Sequence, residues 1–269
     1  MNKLPKTVVL IALFAILFLL SPLLGLLQRM PWSGLVDLLG TEVVSDAFFL
    51  SLIVSFSATL IVLALGTPIA WFLAKAKFPF IKLLRAIVLL PMVLPPVVGG
   101  TALLFAFGRQ GFLGKWLNNW FGITLPFSTT GSILAAVFVS IPFFVVAVES
   151  AFRSINEDSE KVAETLGASP SKIFFRITLP RILPSVIAGL ALSWARALGE
   201  FGATITFAGN LPGETQTLPL AVFLALETNP EAALALSLVM IVTSLAILIP
   251  FRDQSVSYTH LTLPTKRIV

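Results

Sequence analysis

Two charged residues, Arg196 and Glu200, stand four positions apart in a stretch of the sequence that is otherwise apolar. Residues four apart lie on one face of a helix, and Thr204 extends the same face by one more turn. Charges inside a membrane span are costly and normally face the protein interior or water, while the small Gly199 allows close helix contact. Two roles remain open. One is an internal ion pair that locks helix packing or a gate, which we favour; the other is a cation at Arg196 that helps to carry an anion.

A second apolar stretch contains Pro95 and Pro96, followed by Gly99 and Gly100. Proline lacks a backbone N–H and interrupts helical hydrogen bonding. Broken membrane helices can line a cavity or act as a hinge, and a static kink is the alternative. The candidate residues for a pathway or gate are therefore Pro95, Pro96, Arg196, Gly199, Glu200 and Thr204.

The sequence offers no constellation for catalysis or for binding a metal. Its single histidine, His260, lies in the tail, and there are no cysteines, so neither a catalytic triad nor a thiolate site can be assembled. The run at residues 108–116 lacks the spacing of a P-loop and has Trp116 where Ser or Thr should follow Lys115. We predict no catalytic residue, metal or cofactor on this chain.

The elements that position these residues are membrane helices. Hydrophobic residues make up 57% of the 269 positions and charged residues only 12%, against roughly 25% charged in soluble domains. A bilayer-spanning helix needs about 20 apolar residues, whereas a membrane barrel shows alternating segments of about ten. We predict an all-α polytopic membrane protein with six transmembrane helices. The six blocks lie at residues 7–27, 47–73, 83–107, 132–151, 182–207 and 231–251.

Lys and Arg are concentrated in one set of loops. Twelve fall on the side of the N-terminus, and only Arg29, Arg109 and Lys115 fall on the other, so both termini are expected in the cytoplasm. This asymmetry explains the net charge of +5 without nucleic-acid binding. The first block is longer than the 7–15 or so residues of a signal-peptide core, and an uncleaved helix is expected. Glu149, near the inner end of the fourth block, is expected to be an interfacial charge.

The loop at residues 152–181 is long, charged and patterned as helix. Its first helix would begin at a cap formed by Asn156 or Asp158 and end at Gly167. Three apolar residues share one face of this helix: Val162, Ala163 and Leu166.

A second short helix would begin with the cap Ser169-Pro170. It would end at Pro180, which is expected to break the helix before the chain re-enters the membrane. From composition alone, a passive connector and a docking segment remain equally open.

The spacing from Gly167 through nine residues to Ile177-Thr178-Leu179-Pro180 resembles the signature E-A-A-x3-G-x9-I-x-L-P of importer-type ATP-binding-cassette (ABC) permeases. The resemblance implies the type I ABC importer permease fold and a coupling segment that docks on an ATP-hydrolysing subunit. The resemblance assigns this coupling role to the following residues of this sequence: Glu160, Lys161, Val162, Ala163, Leu166, Gly167, Ile177, Leu179 and Pro180.

The front half of this signature departs from the family. The family's Glu falls at Lys161, and its two Ala residues fall at Val162 and Ala163, although Glu160 is adjacent. A salt-bridge role carried over from the family's Glu is therefore in doubt, while the docking helix itself is retained.

The run Arg-Ala-Leu-Gly-Glu-Phe-Gly at residues 196–202 is similar to the fifth helix of molybdate, tungstate and sulfate permeases. Residues 94–100, 217–221 and 231–237 look like the molybdate/tungstate branch. The resemblance implies import of a tetrahedral oxyanion, with molybdate first and tungstate next; sulfate or another anion is the alternative. An ATP-independent secondary transporter would usually show internal repeats or several intramembrane acids, and neither is evident.

The resemblance also implies an assembly in a prokaryotic inner membrane. Its members would be a second copy of this chain, two ATPase subunits that carry ATP and Mg, and an extracytoplasmic oxyanion-binding protein. We expect three regions along the chain: an N-terminal helix and outer loop at 1–44, a permease domain at 45–251 with the coupling segment at about 152–181, and a non-native or disordered tail at 252–269.

Overall fold

The structure is a computed structural model that describes residues 5–156 and 158–257. Across these ranges the secondary structure is helical and no strand occurs. Apart from one π-helical turn, the elements are α1 (Lys6–Gln28), α2 (Leu35–Leu39), α3 (Glu42–Lys75), α4 (Ile81–Val93), α5 (Pro96–Phe107), α6 (Gly114–Phe121), α7 (Thr129–Ser154), α8 (Asp158–Thr165), α9 (Pro170–Ile173), α10 (Leu179–Leu198), α11 (Gly202–Phe207), α12 (Leu218–Thr228) and α13 (Pro230–Ser257).

The predicted all-helical membrane architecture is confirmed. Five helical stretches in the described part are long and apolar enough to cross a membrane, and the bent pair α4–α5 makes up to six. The stretch Pro170–Leu198 counts as one of the five, since α9 and α10 are continuous through the π-helical turn Phe174–Thr178. Helix α13 runs through Ser257, into the predicted tail, and the prediction for residues 258–269 lies outside the described residues.

The third apolar block forms two helices, and the chain bends by 117° between them. A residue before proline is held in an extended conformation, and here two such residues follow each other. Leu94 has ψ 135° and Pro95 has ψ 132°. Two consecutive extended residues cannot continue a helix, so α4 ends at Val93 and α5 starts afresh at Pro96.

The fifth block is also divided, and the prediction that Arg196, Glu200 and Thr204 share one continuous helix face is wrong. Helix α10 ends at Leu198 and α11 begins at Gly202. Glu200 therefore lies between the two helices, and Thr204 belongs to α11. The physical reason is that the buried Glu200 carboxylate accepts a hydrogen bond from the backbone N–H of Ala203 at the start of α11, as an N-cap does.

Pro180 does not break its helix, so the prediction of a separate second short helix is wrong. Pro180 is the second residue of α10, but α10 continues from α9, so the proline must be accommodated inside a helix. The π-helical turn Phe174–Thr178 directly precedes it. Such a turn widens the helix, which makes room for the proline ring beside the carbonyl of residue 176.

Helices α3, α7 and α10 form the centre of the bundle around Phe144 of α7, which is fully buried. Two glycines make this packing possible. A Cβ atom at Gly66 of α3 would lie 2.6 Å from Cδ1 of the Phe144 ring, and one at Gly189 of α10 would lie 3.2 Å from Cδ2. Small residues at such contacts let membrane helices approach closely.

Replacing Gly66 with valine should destabilise the bundle. The new side chain must displace the Phe144 ring, and overpacking of this kind costs about 1–3 kcal/mol. The matched control is Gly25→Val, because a Cβ atom at Gly25 of α1 meets no atom within 4 Å. Thermal unfolding of the purified chain in detergent should show a lower midpoint for Gly66→Val alone. Equal midpoints for both variants would contradict the packing described here.

Candidate functional site

The first helix of the segment at 152–181 has the predicted ends. The backbone N–H of Asp158 donates to Oδ1 of Asn156 at 3.1 Å, so Asn156 satisfies one of the free N–H groups at the start of α8. Gly167 has φ +76°, a conformation in which other residues are strained. Ser169 then accepts a hydrogen bond from the N–H of Lys172, as expected for the cap of α9.

Glu160 of α8 faces the membrane helices. Its Oε1 accepts a hydrogen bond of 2.7 Å from Oγ1 of Thr178 in the π-helical turn, and Nζ of Lys75 at the end of α3 lies 3.5 Å from its Oε2. Thr178 is buried. One carboxylate thus connects α8 to the start of α10 and to the end of α3, and we call this contact the Glu160 link.

The large apolar residues in and directly after α8 are exposed. Val162 of α8 is 59% exposed and Leu166, which follows the last residue of α8, is 82% exposed, whereas Ala163 is partly buried. This distribution is the reverse of an ordinary amphipathic helix, which turns its apolar face toward the protein. A helix that directs an acidic residue inward and large apolar residues outward has a surface suited to a partner. Lys161 is exposed on the same helix.

The second half of the signature is anchored in the bundle. Leu179 packs against the central core and Ile177 is partly buried, whereas Pro180 is exposed. Phe174, in the same π-helical turn, stacks on Phe152 of α7 with ring centroids 6.4 Å apart. The residues predicted to form the coupling segment therefore divide into an exposed helix, α8, and a turn that is packed against the bundle and continues into α10.

Arg196 and Glu200 form an ion pair next to the break between α10 and α11. Nη1 of Arg196 lies 2.6 Å from Oε2 of Glu200 without the alignment of a hydrogen bond. The other oxygen, Oε1, accepts the N–H of Ala203 at 2.6 Å. The Glu200 side chain is only 2% exposed and that of Arg196 is 26% exposed. The carboxylate is therefore engaged on both oxygens within the chain.

The two broken spans meet each other. A Cβ atom at Gly202 would lie 2.6 Å from Cβ of Pro96, and one at Gly100 would lie 2.7 Å from the carbonyl oxygen of Ala203. The structure thus brings Pro96 together with the start of α11, which Glu200 caps. Thr204 is buried within α11, while Pro95 and Gly199 are exposed beside the two breaks.

An ion pair that the sequence interpretation missed joins α4 to the last turns of α7. Glu149 of α7 is 6% exposed, so its carboxylate faces the protein. Nε of Arg85 donates to its Oε1 at 2.8 Å, and Nη2 of Arg85 donates to the carbonyl of Leu73 at 3.1 Å. Arg85 and Glu149 each lie in an apolar block of the sequence, which was the available signal. Only the folded structure shows that the two residues pair.

Family comparison matches residues 66–256 to the binding-protein-dependent transport system inner membrane component. The chain belongs to this family. It is accordingly a multi-pass inner-membrane protein and the permease of an ABC importer, not an enzyme.

Several named permeases are similar to this chain in sequence over most of their length. The molybdenum transport system permease protein ModB of Mycobacterium tuberculosis is 44% identical over 92% of this chain and 94% of its own. ModB of Escherichia coli K12 is 46% identical over 76% of this chain and 89% of its own. The sulfate transport system permease protein CysT of Escherichia coli K12 is 37% identical, with coverage of 88% and 86%.

Solved structures agree on the fold. The crystal structure of a bacterial ABC transporter involved in the import of alginate matches with a TM-score of 0.73 at 18% identity, covering 96% of this chain and 95% of that one. The MetNI methionine ABC transporter matches with a TM-score of 0.62 at 14% identity, covering 79% and 96%. The predicted type I importer permease fold is confirmed.

The Arg196–Glu200 pair can be tested as a structural element. Arg196→Gln leaves the buried Glu200 without its countercharge and should lower the free energy of unfolding by about 2 kcal/mol, less than for a fully buried pair. Combining Arg196→Gln with Glu200→Gln should recover most of this loss, because Gln keeps an acceptor for the N–H of Ala203. Thermal unfolding of the three variants measures the coupling. A stable Arg196→Gln protein would instead favour direct contact of Arg196 with an anion.

Proposed function

We propose that this chain is the permease subunit that moves molybdate, or next tungstate, into the cytoplasm. The observation that carries the proposal is the identity of 44–46% to molybdenum permeases, against 37% to a sulfate permease over a similar stretch. The run at residues 196–202, similar to the fifth helix of this group, supports the same class of substrate. Sulfate remains the second candidate because its relative also covers most of the chain.

The proposed transport cycle is alternating access in an assembly of several subunits. Two copies of this chain would enclose one pathway, two ATPase subunits would supply ATP and Mg, and a binding protein would deliver the oxyanion from outside. Both termini would face the cytoplasm, together with α8 and α9. A solved relative of the same fold contains a periplasmic protein with bound alginate pentasaccharide, which supports an assembly of this kind.

The coupling role of residues 158–180 is supported by the two sides of α8. The exposed Val162 and Leu166 offer an apolar surface to an ATPase subunit, while the Glu160 link ties the helix to the ends of α3 and α10. The positive φ of Gly167 sets the angle between α8 and α9. A displacement of α8 would therefore be transmitted to α10 through the hydrogen bond between Thr178 and Glu160 and through the turn at Gly167.

The gate is proposed where the two broken spans meet. Pro96 and Gly100 of α5 lie against Gly202 and Ala203, so α5 and α11 must move together or separate. The Arg196–Glu200 pair holds the start of α11 in place. With its carboxylate engaged within the chain, the pair is better suited to locking the gate than to binding substrate.

Introducing a charge on the exposed face of α8 should weaken docking of the ATPase subunit. Burying a leucine contributes about 1.5–3 kcal/mol, so Leu166→Asp should reduce affinity for the ATPase by at least about tenfold. The matched control is Val36→Asp at the other end of the molecule, since Val36 is 81% exposed and Leu166 is 82% exposed. Co-purification of the two subunits at graded concentrations measures the effect. Equal loss in both variants would contradict docking at α8.

The substrate is tested by ATP hydrolysis of the permease–ATPase complex in liposomes. Its binding protein is added loaded with molybdate, tungstate or sulfate. Stimulation by molybdate or tungstate but not by sulfate is expected, and ATP-dependent uptake of the same anion should accompany it. Stimulation by sulfate alone would show that sulfate, not molybdate or tungstate, is the substrate. Uptake without any ATPase would instead support a secondary transporter.

A further inference from the structure

Helix α6 carries an exposed aromatic face that neither the coupling segment nor the gate explains. Its sequence is Gly-Lys-Trp-Leu-Asn-Asn-Trp-Phe. At helical spacing the apolar residues fall on one side and Lys115, Asn118 and Asn119 on the other. Trp116, Trp120 and Phe121 are 62%, 72% and 70% exposed.

The two tryptophans form a contiguous surface. Their ring centroids are 5.8 Å apart. Leu117, which follows Trp116 in the sequence, is partly buried against the protein. We call the exposed side chains of Trp116, Trp120 and Phe121 the aromatic face. Large apolar groups exposed together usually mark an interaction surface.

Helix α6 is fixed rigidly to the end of α5. The N–H of Leu113 donates to the carbonyl of Ala106 at 2.9 Å. Two glycines allow this contact, because a Cβ atom at Gly111 would lie 2.6 Å from the Ala106 oxygen and one at Gly114 would lie 1.9 Å from the Gly108 oxygen. The position of α6 is therefore set by the end of α5.

The end of α5 lies at a boundary of the membrane region. Phe107 and Leu125 pack in the same cluster near the first turns of α7, at the opposite end of α7 from the coupling segment. Helix α7 has 26 residues, or about 39 Å at 1.5 Å per residue, and so exceeds a hydrocarbon core of about 30 Å. A helix of this length can reach the headgroup layer at its ends, and α6 stands in the chain between the end of α5 and the first turn of α7.

We propose that α6 lies in the headgroup layer of the bilayer, with the aromatic face inserted among phospholipids. Tryptophan is enriched at membrane–water interfaces because its ring is apolar and its N–H is polar. Lys115 on the opposite side can reach lipid phosphates. Short helices with one aromatic face and one polar face bind in this plane.

The chemistry of the face favours lipid over a protein partner. A binding protein must leave after each cycle, and interfaces of transient partners are more polar than permanent ones. The aromatic face offers no charged group for such a partner. A lipid contact also has a mechanical consequence: it holds the outer end of α5, on the far side of the break at Pro95 and Pro96 from α4, at a fixed depth.

Fluorescence quenching of the full chain in phospholipid vesicles tests the proposal. The chain has five tryptophans, so emission from Trp116 and Trp120 is obtained as the difference between the native protein and Trp116→Phe/Trp120→Phe. Phospholipids brominated near the headgroup end of the acyl chain should quench this difference several-fold more than aqueous iodide does. A probe on the polar side, Asn119→Trp in the double-Phe background, serves as the matched control and should respond mainly to iodide.

Each other outcome overturns the inference. Quenching of the difference by iodide alone would place the aromatic face in water, where a binding protein could cover it. Protection from both quenchers would indicate burial against a second copy of the chain. Equal quenching of the Asn119→Trp probe and of the native pair by brominated lipid would show that α6 has no fixed orientation.

Discussion

The absence of hydrogen-bonding partners in lipid governs this structure. Every backbone N–H and C=O group in the membrane must be satisfied within the chain, so an interruption of a helix requires a specific substitute. The break between α10 and α11 has one, because Oε1 of Glu200 takes the place of a carbonyl and accepts the N–H of Ala203. The break at Pro95 and Pro96 needs fewer partners, since proline has no N–H to satisfy. The two breaks lie against each other where Gly202 meets Pro96, although Pro95 and Gly199 remain exposed.

Composition and periodicity predicted most of the fold, and they failed where a helix stops or continues inside an apolar block. Glu200 is flanked by Gly199 and Gly202, which were available signals of a break, but the spacing of Arg196 and Glu200 suggested a continuous helix. Pro180 led to the opposite error, because a helix break was predicted where the helix continues. Local sequence cannot show that a π-helical turn accommodates it, because that turn is stabilised by packing of Phe174 on Phe152.

The candidate coupling segment was located from its signature, but its side-chain roles were not. A shift of one position rotates a side chain by about 100° around a helix, so whether position 160 or 161 faces inward depends on how α8 lies on the bundle. The partner of Glu160 is Thr178, 18 positions away. Thr178 occupies the variable position of I-x-L-P, so the signature gave no reason to select it. Only the tertiary contact does so.

The continuous helix from Pro170 to Leu198 joins the proposed coupling segment to the proposed gate. The 26 steps from Pro170 to Arg196 correspond to about 39 Å at 1.5 Å per residue. Because α10 packs along both α3 and α7 around Phe144, it cannot bend without disturbing the core. In the proposed cycle, a displacement at the Glu160 link would pass along α10. The helix ends at the break after Leu198, where Glu200 pairs with Arg196 and caps α11.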